Sequence, residues 1–374
     1  MKTKMFLILG MILFWAVQGY GASPQPVDLV SLVSSVKNLD TLSLCEERVP
    51  LENQEVRERF EKELLLSIWD RPQVILWLKR SRRYLPYIEK MLKQNRMPDD
   101  LKYLAIAESA LRPHAGSRKG AIGFWQFLPD TGRKYGLIID KNIDERRNLF
   151  ASTRAAITYL KALYQSMGSW TLAAAAYNMG EEGLTAEIMV QHTRDYYRLY
   201  LPLETQRFIF RILSAKLIVL DPIKFGFNLT DDEYYPALEF DRITVDCFQE
   251  PPLSLIAKAS GTDFKAIKDL NPEIRGHYLT EGTHTLLIPK GAKKGFDLRY
   301  KKLVKAYEAD KTDRIYVIKK GDNLSSIAEK FNVPLAVLII WNRIDLNEPI
   351  HPGDRLIIYP RDKKEKHGIS FNNL

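Results

Sequence analysis

The sequence predicts a multidomain chain: an all-α domain followed by two small α+β modules, each in strand–helix–helix–strand (βααβ) order. Three observations predict it. Between residues 56 and 220 the apolar side chains recur at the three- and four-residue spacing of helices. From Asp241 the composition changes to β-branched runs, turns and short helical stretches. Segments 243–289 and 314–360 align without a gap at an offset of 71. They share Leu253/Leu324, Ser254/Ser325, Ile256/Ile327, Ala257/Ala328, Asn271/Asn342, Gly282/Gly353 and Pro289/Pro360, the mark of an internal repeat. A chain of 374 residues is too long for one ordinary domain, and 45% hydrophobic residues suffice for real cores. The net charge is +9, but the positive residues are scattered and no nucleic-acid motif appears. An anionic polymer fits that charge as well as nucleic acid does.

Residues 1–22 read as an export signal peptide. Lys2 and Lys4 precede an apolar run over 5–17, then small residues at Gly19, Gly21 and Ala22. The run is short for a membrane span. No cysteine lies near the cleavage site, so no lipoprotein anchor is expected, and an uncleaved anchor is the alternative. The two cysteines, Cys45 and Cys247, allow one disulfide in an exported chain or two buried thiols. Residues 23–90 form an N-terminal helical region. In it a polar tether runs to about residue 40, and helices over 56–69 and 74–92 are separated by Asp70-Arg71-Pro72. They read as packed onto the next domain, with a membrane-surface role for 76–87 as the alternative.

The next helix carries the candidate chemistry. Pro98, Asp99 and Asp100 suit a helix start. Leu101, Leu104, Ala105, Glu108 and Leu111 then share one face, and Arg112-Pro113 ends the helix. A carboxylate on an apolar stripe is costly to ionise, so its pKa rises unless a cation such as Arg112 pairs with it. A raised pKa is what a general acid near neutrality needs. The plain alternative is a structural glutamate bonded to a helix end or an arginine. A polar loop follows over 114–123, then Gly123-Phe124-Trp125-Gln126-Phe127-Leu128-Pro129. Flat rings around an amide are the material of sugar sites.

Residues 108–137, ESALRPHAGSRKGAIGFWQFLPDTGRKYGL, closely resemble the catalytic segment of the goose-type-lysozyme-like (SLT) lytic transglycosylases, especially the membrane-bound lytic transglycosylase D group. That family has a glutamate-serine pair followed by glycine-x-x-glutamine-x-x-proline. The resemblance implies a lysozyme-like catalytic domain over 91–225, with Glu108 catalytic and Ser109, Gly123 and Gln126 binding substrate. Short and long helices follow over 130–133 and 146–167. The alanine-rich stretch 172–178 matches the family's alanine-x-x-tyrosine-asparagine, which carries Tyr177 and Asn178 into the site. Read without the family, they are core and cap residues. In helix 203–220, Glu204-Thr205 matches the family, but its tyrosine is replaced by Phe208, so an equivalent hydroxyl must come from elsewhere, Tyr177 being one candidate. The implied reaction cleaves the bond between N-acetylmuramic acid and N-acetylglucosamine in peptidoglycan and leaves a 1,6-anhydro end, with neither metal nor organic cofactor. The alternatives are a hydrolytic lysozyme-type muramidase and a non-catalytic peptidoglycan-binding scaffold.

The second repeat, 314–360, resembles a LysM module, with Val317-Ile318-Lys319-Lys320-Gly321-Asp322-Asn323-Leu324 at its first turn. Such modules hold N-acetylglucosamine polymers, which assigns glycan binding to Gly321, Asp322, Asn323, Leu324 and Asn342. The first copy, 241–290, lacks the glycine-aspartate turn and reads as a degenerate LysM-like module. Residues 291–313 read as a basic, partly helical linker and 361–374 as a solvated basic tail. The expected partner is the peptidoglycan glycan strand and not nucleic acid. The chain is expected to be a monomer, exported to the periplasm or cell envelope, with peripheral membrane association left open.

Overall fold

The computed structural model describes residues 32–359 apart from 38, 40, 249 and 313. The expected signal segment and basic tail lie outside the described residues. Within the expected tether, α1 (Leu32–Val36) is a single short helix. A two-stranded hairpin follows, β1 (Ser43–Leu44) and β2 (Glu47–Arg48). Helices α2 (Gln54–Trp69) and α3 (Arg71–Gln94) meet at Asp70. Its main-chain N–H closes α2 on Leu66 and its carboxylate accepts from Gln73 N, so one residue ends one helix and starts the next. Trp77, Leu78, Leu85 and Ile88 of α3 are buried in the main core, so the apolar face of residues 76–87 packs on protein.

The helical body continues through α4 (Lys102–Ser109), α5 (Pro129–Lys134), α6 (Leu149–Met167), α7 (Trp170–Met179), α8 (Glu181–Gln191) and α9 (Leu203–Leu220). Helix α9 packs against α2, α4 and α7. Ala173 to Ala176 are buried, and their small side chains let α7 pass close to α6 and α9. Helix α4 corrects the sequence reading. Lys102, Tyr103 and Ile106 are buried along with the expected stripe, so the helix is enclosed on nearly every side. It also ends at Ser109, because Ala110 and Leu111 turn left-handed. Leu111 is therefore a core residue beyond the helix rather than part of its stripe.

The first module pairs β3 (Phe240–Cys247) with β4 (Gly282–Pro289), antiparallel from Phe240↔Pro289 to Cys247↔Gly282. Helices α10 (Leu253–Ala259) and α11 (Phe264–Leu270) lie between. The expected linker is largely a helix, α12 (Phe296–Thr312). It packs on α10, burying Phe296 and laying Tyr300 and Leu303 on the module's core. The second module has β5 (Ile315–Val317), α13 (Leu324–Lys330), α14 (Leu335–Asn342) and β6 (Arg355–Ile357), with its own small core.

The repeat holds in the helices but not in the closing strands. Thr262 N bonds Ala257 O as Val333 N bonds Ala328 O, an offset of 71. In the closing strands, however, Leu286 and Ile288 fill the first core where Leu356 and Ile358 fill the second. Asn271 grips Leu287 where Asn342 grips Ile357. The strands thus correspond one residue short of the gapless alignment, since a one-residue slip would turn every core side chain outward. Gly282 and Gly353 still correspond, both left-handed and facing Cys247 and Ile318 at the offset of 71, so the shift falls between them and the core side chains; Pro360 lies outside the described residues. Cys45 and Cys247 are both buried and free.

Candidate active site

Glu108 sits in the last turn of α4, and two cavities meet it. One, of about 600 Å³, is lined by Ser117, Gln126, Tyr159, Tyr177, Asn178 and Glu204 among others. The other, of about 300 Å³, runs along the α2–α3 wall past Trp77, Arg112, Arg207 and Arg211. Burial pushes the Glu108 carboxyl up to about 8, with Arg211 pulling it down and Glu204 pushing it up. Arg112, the cation expected from the sequence to threaten this shift, donates its Nε to Ser109 O at 3.0 Å. The facing cation is Arg211 of α9, held in an ion pair by Glu204. Arg211 did not stand out as a neighbour of Glu108, because about a hundred residues separate them in the chain, and Glu204 stood out only through the family resemblance.

The loop opposite is fastened by its own main chain. Gly123 has φ +88, and a Cβ there would lie 1.8 Å from Arg146 O, so only glycine fits. Gln126, left-handed at φ 49, donates Nε2 to Gly123 O (2.8 Å) and Ala115 O (3.1 Å). That leaves the glutamine's carbonyl oxygen for the cavity. Phe124, Trp125 and Phe127 are buried in the core, and Trp125 donates Nε1 to Thr153 Oγ1 at 3.1 Å. Of the expected sugar-stacking rings, Phe124 and Trp125 are therefore structural, while Phe127 lines the cavity with Tyr159 and Tyr177.

The remaining expected site residues divide into two groups. Ser109 is buried, with its hydroxyl against Phe124 O (2.8 Å) and Ala105 O (3.0 Å). It ties α4 to the loop from the wall of the smaller cavity; Gly123 is buried structure. Tyr177 and Asn178 do reach the cavity. The Tyr177 hydroxyl donates to Trp125 O at 2.7 Å, and burial together with Glu108 pushes its pKa up, so it faces the cavity as a neutral acceptor. Asn178 Oδ1 accepts from Thr205 Oγ1 at 2.9 Å, which frees its amide N–H groups. Phe208 is buried core and brings no hydroxyl. A further residue, missed in the sequence, holds α7 in place. The Glu47 carboxylate accepts from Trp170 N, Thr171 N, Ser169 Oγ and Thr171 Oγ1 at the helix start.

In the second module Gly321 takes φ +93, and Asp322 Oδ2 accepts from Tyr316 OH (2.7 Å) and Lys319 N (2.8 Å). Asn323 caps α13 and Leu324 leans on the core. Gly321 to Leu324 thus form one turn, with the polar side chains spent on holding it. Asn342, expected to bind glycan, is instead a lock. Its Nδ2 donates to Leu338 O and Ile357 O, and its Oδ1 accepts from Ile357 N. Asn271 makes the same three bonds in the first module. Among the described residues no three His, Cys, Asp or Glu side chains gather as metal ligands would.

Comparison with known proteins gives three family matches: "Transglycosylase SLT domain" over residues 86–199, "Lytic transglycosylase MltD, LysM-like domain" over 239–305, and "LysM domain" over 316–358. The membrane-bound lytic murein transglycosylase D of Escherichia coli (strain K12) is 30% identical over 325 residues, covering 82% of this chain and 69% of that protein. The protein of the same name from Escherichia coli O6:H1 matches equally. Among solved structures, the 70 kDa soluble lytic transglycosylase SLT70 of Escherichia coli covers 48% of this chain and 31% of its own, at 17% identity and TM-score 0.34.

Proposed function

The chain belongs to the family of membrane-bound lytic murein transglycosylase D and is a lytic transglycosylase with LysM modules, and on that footing we propose that Glu108 carries its chemistry. The observation behind this reading is a carboxyl at the meeting of two cavities, held protonated at neutral pH by its burial. A glycan strand lies along both cavities, with the bond between N-acetylmuramic acid and N-acetylglucosamine at Glu108. The protonated carboxyl gives its proton to the bridging oxygen as the C1–O bond breaks, and the substrate's acetamido oxygen supports the cationic C1. The Glu108 carboxylate then takes the proton of the C6 hydroxyl as that oxygen closes on C1. The products are a free 4-hydroxyl and a 1,6-anhydro end, and no water is used. The Gln126 carbonyl and the Asn178 amide orient the sugars, while Ser109 and Gly123 hold the frame.

Glu204 is the other carboxylate lining the larger cavity, which gives the hydrolytic alternative its one foothold. Its ion pair with Arg211 argues against a base role. The second LysM module retains the enzyme on peptidoglycan, and the N-terminal segment directs export to the periplasmic face of the envelope, where a monomer acts. The test is mass spectrometry of products from purified peptidoglycan. Wild type is expected to leave anhydro ends, and Glu108→Gln to cleave nothing while remaining folded and wall-bound. Reducing ends that disappear in Glu204→Gln would convert the reading to hydrolysis. More than a few per cent activity in Glu108→Gln would assign the proton transfer to another group.

A further inference from the structure

We propose that the first LysM-like module is a brace for the active-site loop, not a glycan-holding unit; this rests on Glu108 marking the active site. The loop after its second helix begins at Asn271, the counterpart of Asn342 in the second module. Here that loop is occupied by the catalytic body. Ile274 pairs antiparallel with Ile143, Asp144 N donates to Glu273 O at 2.8 Å, and Arg275 N donates to Asn142 O at 2.8 Å. Glu273, Ile274 and Asp144 are all buried in this seam, and Ile143 leans into the module's core. A second contact sets Phe240 edge-on to Phe150 at 5.5 Å, with Arg242 over the Phe150 ring at 5.4 Å.

The seam connects to the cleft through one ion pair. The Asp144 carboxylate, whose own main chain is gripped by the module, holds Arg146 with both oxygens, at 2.8 and 2.9 Å. Arg146 Nη1 donates to Gly120 O (2.8 Å) and Phe127 O (3.2 Å), near the two ends of the loop that carries Gln126. The Arg146 carbonyl is the surface on which Gly123 is pressed. Trp125 O, in the same loop, anchors the Tyr177 hydroxyl. Module, Asp144, Arg146 and loop thus form a continuous chain of bonds that ends on two groups facing the cleft. A buried, doubly hydrogen-bonded ion pair has little freedom to shift, so the brace is stiff. Asp144 and Arg146 are positioning residues and touch no substrate.

The full-length chain tests this in two ways. Ile143→Asp puts a charge in the seam from the catalytic side, leaving the module's own core residues unchanged. The expected result is a kcat on soluble glycan strands lowered about tenfold, a KM changed less than about threefold, and faster amide exchange across residues 120–127. Retention on insoluble peptidoglycan stays at the wild-type level, and Ile143→Val restores kcat. Unchanged kcat with exchange raised only at 142–144, or a loss confined to wall retention, would overturn the brace. The paired variant Ile143→Cys, Ile274→Cys, oxidised across the seam, covers the case in which Ile143→Asp fails to fold. Full kcat when cross-linked supports a brace that stays docked, whereas activity lost on oxidation and regained with reductant would show that the module must leave. The exchange readout needs no turnover, so it is independent of whether Glu108 proves to be the acid.

Discussion

The two LysM-like modules share an order of elements and an asparagine lock, yet they are built for different surroundings. The first has eight-residue strands, an added helix α12 and a loop paired with the catalytic body. The second has three-residue strands, a smaller core and an exposed glycine-aspartate turn. In the first, the segment around Glu273 to Arg275 spends its main-chain groups on residues 142–144. The difference teaches that the fold of such a module does not set its work. What differs is the partner of the loop after the second helix: the catalytic body for the first module, and, through Arg343, Glu250 and Tyr278 of the first module for the second.

The largest effect should come from removing one side of the comparison. A chain ending at residue 313 lacks the second module and is expected to lose retention on insoluble peptidoglycan. Its kcat on soluble strands should stay within about twofold of wild type, since the second module's core is separate from the catalytic one. Co-sedimentation and turnover on the same preparation check this. Retention that survives the truncation would place wall binding on the first module and erase the contrast.

Parts of this contrast were legible in the sequence and parts were not. Glu108 was readable because an acid amid apolar helical spacing is costly unless it has a use, although α4 proved enclosed rather than striped. The repeat was readable through its helices, where Ile256/Ile327 and Ala257/Ala328 keep one offset. Its closing strand was misaligned because the shared glycine at its start carried the offset of 71 past the point where the two-residue alternation of Leu286 and Ile288 departs from it. Phe124 and Trp125 looked like a sugar platform, since composition does not tell a ring facing a cavity from one inside a core. Arg211 and Glu47 were invisible as site neighbours because folding alone brings α9 to α4 and the hairpin to α7. The helical character of α12 was legible, but its docking was not, because its basic residues mask the three apolar contacts that hold it on the module.

The asparagine lock offers an intermediate effect. Asn271 is fully buried and Asn342 only partly, though each makes three main-chain bonds. Replacing Asn271 with alanine strands an N–H and a carbonyl where water cannot reach, at a cost of about 3 kcal/mol; Asn342→Ala leaves groups that water can serve, at about 1 kcal/mol. Chemical denaturation followed by near-ultraviolet dichroism measures both. The Asn271 variant should also lose kcat through the brace, and the Asn342 variant should lose only retention. Equal costs would mean the second sheet is as sealed as the first.

The finest separation of the two regions is by pH, because their key carboxyls shift in opposite directions. Burial carries Glu108 from an ordinary value of 4.5 to about 8. Between those values the folded chain holds a proton that the unfolded chain has released, so this stabilisation is fully present below 4.5 and lost as pH rises through about 8. Catalysis has the same sign: kcat/KM on soluble strands should be level through neutrality and fall about tenfold per unit above that pKa. Glu108→Gln cannot ionise, so its Tm should gain on wild type steadily from about pH 5 to about pH 8. In the second module, Asp322 is pulled below the usual carboxylate range by the Lys319 main-chain N–H and the Tyr316 hydroxyl. Its contribution to the turn is present above that range and lost as pH falls, so retention should weaken only on the acid side. Rate and retention measured on one enzyme across pH should therefore decline at opposite ends. A rate that falls toward acid instead would mean that Glu108 works ionised from the start, with its proton-donor role taken by another group.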